Sequence, residues 1–143
     1  MLQLTIAGIL KAWERGRGTV GTEWRFRITP PGERPRPLVP AVAYLSNERQ
    51  AGLSGELLEV PFVAPDLVVE VLSPDDRADR VASKRDTYLA AGVRLVLIVD
   101  PAARAVIAYE AAGRTTFARG SSVTSALFPD LTIDVEALFA EID

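Results

Sequence analysis

Two runs of the chain decide the fold: PDLVVEVLSPDDR at residues 65–77 and AGVRLVLIVDP at residues 91–101. In the first, Leu67 to Leu72 is nearly continuous, apolar and β-branched, the pattern of a strand covered on both faces. Ser73-Pro74-Asp75-Asp76 then supplies a helix-cap candidate, a proline suited to a first helical turn, and acids at the positive end of a helix dipole. A helix is expected to start between Asp75 and Asp79 and run to about Ala91. Its inward stripe would carry Val81, Lys84 or Arg85, and Tyr88 or Leu89, with Gly92 as C-terminal cap. Arg94 to Val99 reads as a second buried strand, stopped by Asp100-Pro101. Strand, four-turn helix and strand form the pattern of a right-handed parallel crossover over residues 65–100.

Toward the N-terminus, Leu2, Ile6, Ile9, Leu10 and Trp13 make one helical stripe, and Gly16 with Gly18 is a natural stop. The chain opens inside that helix with no capping residue before it, so the start of a complete domain is not punctuated. Glu23 to Ile28 alternates charged and apolar side chains, which argues a half-exposed strand with Arg25 and Arg27 on its wet face. Five prolines between Pro30 and Pro40 predict an irregular or extended loop. Ala41 to Leu45 is a short apolar strand, and polar Asn47 to Gly55 holds a turn or short helix. Beyond the crossover, Ala105–Tyr109 and Thr115–Ala118 pair as a hairpin through Gly113, and Val135–Ile142 closes as a short helix.

At 143 residues, 48% hydrophobic and 24% charged, the chain suits one globular domain, residues 1–143, able to bury a core. No apolar run is long enough to span a bilayer and the start lacks the marks of a signal peptide, so a soluble cytoplasmic protein with no membrane partner is expected. Without cysteine there are no disulfides or thiolate metal sites, and without histidine the commonest general base and transition-metal ligand are absent. Serine–histidine triads, cysteine proteases and ordinary zinc sites are excluded. Any metal here needs oxygen ligands, which favours magnesium, manganese or calcium. The net charge of −3 gives no overall pull toward nucleic acid. Residues 1–50 nevertheless hold 8 Lys/Arg against 4 Asp/Glu, and the remainder 8 against 15. This basic half is either a phosphate-facing patch or a solvated surface.

Glu70 is the residue that packing alone would not place. Alternation sets Asp66, Val68, Glu70 and Leu72 on one face of the strand. An ionised carboxylate buried there costs several kcal/mol unless paired with a cation, a metal or several donors. Lys84 is the candidate partner, since it shares the inward stripe of the following helix with Val81 and Tyr88, and its four-carbon stem can lie along the sheet. Such a group can bind a hard cation, activate water and neutralise charge developing on a phosphate. A buried Glu70–Lys84 pair with no catalysis is the alternative.

The run PDLVVEVLSPDDR, followed by Lys84 and Tyr88 and then AGVRLVLIVDP, closely resembles the Uma-two family, within the restriction-endonuclease-like PD-(D/E)XK nuclease superfamily. The match is strong over Pro65–Pro101 and extends more loosely over Leu38–Phe139. It implies an α/β fold with a central mixed sheet flanked by helices, an oxygen-ligated magnesium or manganese cofactor, and hydrolysis of phosphodiesters, DNA being the implied partner. By resemblance Glu70 matches the acid of the (D/E)XK strand, while the usual lysine position holds Leu72, which carries the lysine role onto Lys84. The implied catalytic pair is Glu70 and Lys84, the implied metal ligands Glu70 and Asp66, and the candidate phosphate contacts Arg25, Arg27 and Arg77.

Departures from the family pattern set limits. Relatives carry Pro-Asp in the preceding strand, where this chain has Pro40-Ala41, and a methyl group cannot bind magnesium. Relatives also begin with an additional segment containing an acidic strand and a histidine. These losses imply impaired or absent catalysis, the alternative being a non-catalytic interaction or nucleic-acid-binding module on a nuclease fold. Sheet edges left by a short N-terminus are expected to be covered by a second copy in a dimer, with Trp13, Trp24 and Phe26 serving either in the core or at that interface.

Overall fold

The computed structural model describes residues 2–143. In chain order the elements are α1 (Leu2–Glu14), β1 (Gly18–Thr22), β2 (Phe26–Ile28), β3 (Arg36–Leu38), β4 (Val42–Ser46), α2 (Asn47–Gln50), α3 (Glu56–Glu59) and β5 (Leu67–Val71). There follow α4 (Ala78–Ala90), β6 (Leu95–Asp100), β7 (Ala105–Glu110), β8 (Gly113–Phe117), β9 (Ser122–Val123), β10 (Ile133–Asp134) and α5 (Val135–Ala140). Six strands form one mixed sheet in the order β1-β4-β5-β6-β7-β8. Only β5 and β6 run parallel, and they are the pair joined through α4, since a parallel pair requires a crossover rather than a tight turn.

Strand alternation sorts the core into two halves. Leu67 and Val69 of β5 pack with Leu95 and Leu97 of β6 against α1 and α5. On the opposite face Val68, Val96 and Ile98 pack with Tyr88 of α4 and with Phe26 and Ile28 of β2. A β2–β3 ribbon and α4 therefore share that second face. At its C-terminal end α4 stops where Gly92 takes φ +106 and Val93 N–H reaches back to the Tyr88 carbonyl at 3.0 Å, a Schellman closure.

Three expectations change. Ser73 does not cap α4: Asp76 Oδ2 accepts from Ser73 N–H at 2.8 Å to close a turn, and the helix starts at Ala78, within the expected range, after an N-cap Arg77 whose side chain makes no capping bond. The proposed strand at Glu23–Ile28 shortens to Phe26–Ile28, because Glu23 takes φ +48 and breaks the extended run. The proline stretch is not wholly irregular, since Arg36–Leu38 pairs with β2. Of the two roles open to Trp13, Trp24 and Phe26, the chain's own packing is the one seen: Phe26 is buried, and the two indoles donate to Pro129 O and Leu58 O. Four elements had no counterpart in the reading of the sequence: the edge strand β1, the short helix α3, and the two-residue strands β9 and β10.

Candidate active site

At the C-terminal end of β5 the strand leaves the tightly packed core, and Glu70 is the first side chain there that is only partly buried. Lys84, two turns into α4, places Nζ 2.8 Å from Glu70 Oε2. One turn further on, Tyr88 donates its hydroxyl to the same oxygen at 2.7 Å. Tyr88 is 1% exposed, and burial, then the Glu70 charge and this hydrogen bond, push its phenol far above the ordinary value of 10. It is a fixed donor. With both donors on Oε2, Oε1 is the carboxylate oxygen without a protein donor among the described residues.

The pair opens into a pocket of about 410 Å³, walled by the 70–77 segment and by the α4 face carrying Arg80, Val81, Lys84 and Arg85. Its cations differ in how they are held. Arg77 pairs with Asp79 at 3.3 Å, and Arg85 with Asp86 at 2.9 Å, a hydrogen bond that raises the Arg85 pKa above its ordinary value. Arg80 is exposed and has no ion pair or hydrogen-bonded side-chain partner among the described residues.

Glu70, Lys84 and Arg77 are thus brought together, and other expected site residues are not. Asp66 lies one residue before β5 begins, about 13 Å along the backbone from Glu70 at the usual strand rise. Its carboxylate is 5% exposed, accepts from Ser46 N–H at 2.7 Å and pairs with Arg49 Nε at 3.3 Å. The same guanidinium donates to the carbonyls of Ala64, Pro65 and Gly92, so Asp66 anchors a structural clamp between α2, the start of β5 and the end of α4. Arg25 and Arg27 are exposed around β2 and do not line the Glu70 pocket. Tyr88 as a Glu70 ligand, and Arg80 on the rim, were not assigned from the sequence. Their signal is the spacing: Arg80, Lys84 and Tyr88 follow one another at i, i+4 and i+8, along one helix face.

Ala41 comes one residue before β4, just beyond the last pair of its ladder with β5. The β4–β5 ladder pairs Val42 with Val69 and Ala43 with Val68, and that antiparallel register, carried one step past its end, would set Ala41 opposite Glu70. Directly opposed residues point to the same face of a sheet. Among the described residues no three carboxylates gather as a metal-holding group. Glu70 therefore offers a divalent ion one free oxygen, which would hold it weakly and largely through retained waters.

The family model of Uma2, described as "Putative restriction endonuclease", matches residues 2–136. The chain belongs to the Uma2 family. Restriction-endonuclease-like proteins generally use divalent metals. This Uma2 chain also superposes on a crystal structure described as a putative nuclease of the DUF820 group from Anabaena variabilis, with TM-score 0.83 and 21% identity over 97% of this chain and 78% of that one. At that identity the likeness speaks for the fold, a mixed sheet flanked by helices of the nuclease type. No curated protein matches the Uma2 chain by sequence. Among the described residues no helix is long and apolar enough to cross a membrane.

Proposed function

We propose that this Uma2 domain acts on nucleic acid at the Glu70–Lys84 pocket, with a magnesium- or manganese-dependent phosphodiester hydrolysis that the Ala41 position leaves weak. The observation that carries the reading is the 2.8 Å approach of Lys84 Nζ to Glu70 Oε2 at the mouth of a pocket rimmed by Arg77 and Arg80. A lysine held against a carboxylate can offset charge developing on a phosphate, and the arginines can hold flanking phosphates. Divalent metal would supply polarisation of the phosphate and an activated water when bound. This chain offers that ion one carboxylate oxygen where the family resemblance implies two acids, which supports weak binding through retained waters.

The test is cleavage of plasmid and single-stranded DNA, with magnesium or manganese, by the wild type, Ala41→Asp and Glu70→Ala. Slow wild-type cleavage, a gain with Ala41→Asp and a loss with Glu70→Ala are expected. Cleavage that persists in Glu70→Ala would refute the assignment of the site. No gain with Ala41→Asp in a folded protein would refute Ala41 as the reason for its weakness.

A further inference from the structure

The Glu70 pocket does not end at Arg85. A second hollow of about 330 Å³ adjoins it, sharing Leu72, Ser73, Asp76, Val81, Arg85 and Ile98 with the first. Together they form a groove that runs from the Glu70–Lys84 pair to Tyr109 on β7. It exists because α4 packs over β5 and β6, while Ile107 and Tyr109 on the next strand are only half-buried. The floor of the groove, Leu72, Ile98 and Ile107, is apolar.

Arg85 lines both halves and is held at Tyr109 from one side and Asp86 from the other. Its guanidinium lies 4.5 Å from the centroid of the Tyr109 ring, and its Nε donates to Asp86 Oδ1 at 2.9 Å. A planar cation fixed on an aromatic ring is a stacking platform. The two ends of the groove differ in character. Toward Glu70 the rim carries Arg77, Arg80 and Lys84 beside Asp75 and Asp76, and Arg80 is the exposed cation there with no ion pair among the described residues; toward Tyr109 the walls are mainly apolar and aromatic. The complementary ligand has phosphate at one end and a flat ring at the other.

We propose that the groove seats an unpaired nucleobase of a single strand on Arg85 and Tyr109, with the adjacent phosphate held at Arg80. The substrate class of the Glu70 pocket is then single-stranded or locally unpaired nucleic acid, an inference that rests on the nuclease reading above. A base inside a duplex is stacked and paired, and cannot enter such a seat without being extruded.

Binding by the whole chain is measured in chelator by fluorescence anisotropy, so that cleavage plays no part. The probes are a labelled oligothymidylate, the same strand with abasic sites, and a duplex of equal length. The base-bearing strand is expected to bind tighter than both other probes. Tyr109→Ala and Arg85→Met should each weaken it about fivefold or more, the lower end of what one stacked base contributes. Because Tyr109 also packs at the edge of the core, urea unfolding accompanies both variants, and the abasic comparison tests the seat on wild-type protein alone. Arg80→Ala should weaken base-bearing and abasic strands alike and reduce the salt dependence by about one phosphate contact.

Equal affinity for base-bearing and abasic strands, or a duplex bound as tightly as a single strand, would overturn the proposal. So would a dimer that Tyr109→Ala dissociates, because the groove would then belong to a second copy. Base-dependent binding without metal-dependent cleavage would uphold the seat and remove the hydrolytic reading; cleavage without base dependence would do the reverse.

Discussion

Replacing Tyr88 by Phe removes one oxygen and leaves the buried ring, which makes it a clean probe of how Glu70 is held. The hydroxyl donates to Glu70 Oε2 at 2.7 Å, and a hydrogen bond to a charged group contributes about 1.5–3 kcal/mol. At about pH 8 Tyr88→Phe should be less stable than wild type by that amount. Above the ordinary tyrosine value of 10 the order should change. The folded phenol is raised far beyond that value, so the unfolded chain loses this proton first and the folded state retains it. With fewer protons bound in the unfolded state, wild-type stability must fall as pH rises, by about 1.4 kcal/mol per unit from this group. Below pH 10 its contribution is fully present, and Phe has no proton to lose. The two stability curves should therefore meet about one to two units above 10, where the lost hydrogen bond and the linkage penalty cancel. Urea unfolding followed by the fluorescence of Trp13 and Trp24 across the alkaline range measures both curves. Tyr44, also raised by burial and then by the Asp66 and Glu14 charges, is common to both proteins and cancels in the difference. A stability difference that stays constant through the alkaline range would refute the reasoning.

Arg49→Ala should cost about 3 kcal/mol or more in urea unfolding, because it leaves the buried Asp66 carboxylate without its cation. Arg49→Lys should recover little, since one ammonium cannot reproduce the set of bonds to Asp66 and three carbonyls. Gly18→Ala is expected to destabilise by about 1–3 kcal/mol, read as a lower thermal midpoint, because a Cβ there would meet Leu45 O at 2.3 Å and Ser46 Cα at 2.9 Å. Asp134→Ala removes the side-chain acceptor of Ala137 N–H at the start of α5 and should cost about 1 kcal/mol in the same measurement.

The crossover was legible because its signals are redundant. Continuous β-branched strands, a helical stripe and a glycine stop all point to one arrangement, and α4 ends at Gly92 as its sequence implies. What escaped reading is structure held by tertiary context. In β1, Gly-Thr-Val-Gly-Thr, two glycines interrupt the β-branched residues and only Val20 is buried; the strand exists because Gly18 lets the backbone press against β4. In β3, Pro37 faces Arg27, whose own N–H is satisfied by Pro61 O at 2.8 Å, so the missing proline donor costs the ribbon nothing at that pair. Neither partner is visible from local pattern.

The site divides along the same line. Lys84 could be matched to Glu70 because helix phase alone turns it toward the strand. Asp66 shares alternation parity with Glu70 but stands four residues of strand away, where Arg49, distant in sequence, captures the carboxylate. Strand register gives Ala41 its weight. A carboxylate on that position would stand across from Glu70 on the same face, where Oε1 is the oxygen not already taken by Lys84 or Tyr88. Two acids so opposed could share a hard cation, whereas one acid with its other oxygen doubly hydrogen-bonded can hold it only at a single point. The same geometry makes Ala41→Asp informative beyond a gain of activity. Without a cation, two facing carboxylates repel, so the variant should be less stable than wild type in chelator and recover on adding magnesium or manganese. That metal-dependent recovery in the thermal midpoint should vanish in Ala41→Asp combined with Glu70→Ala. If it persists there, the ion is bound elsewhere and the register argument for a shared site fails.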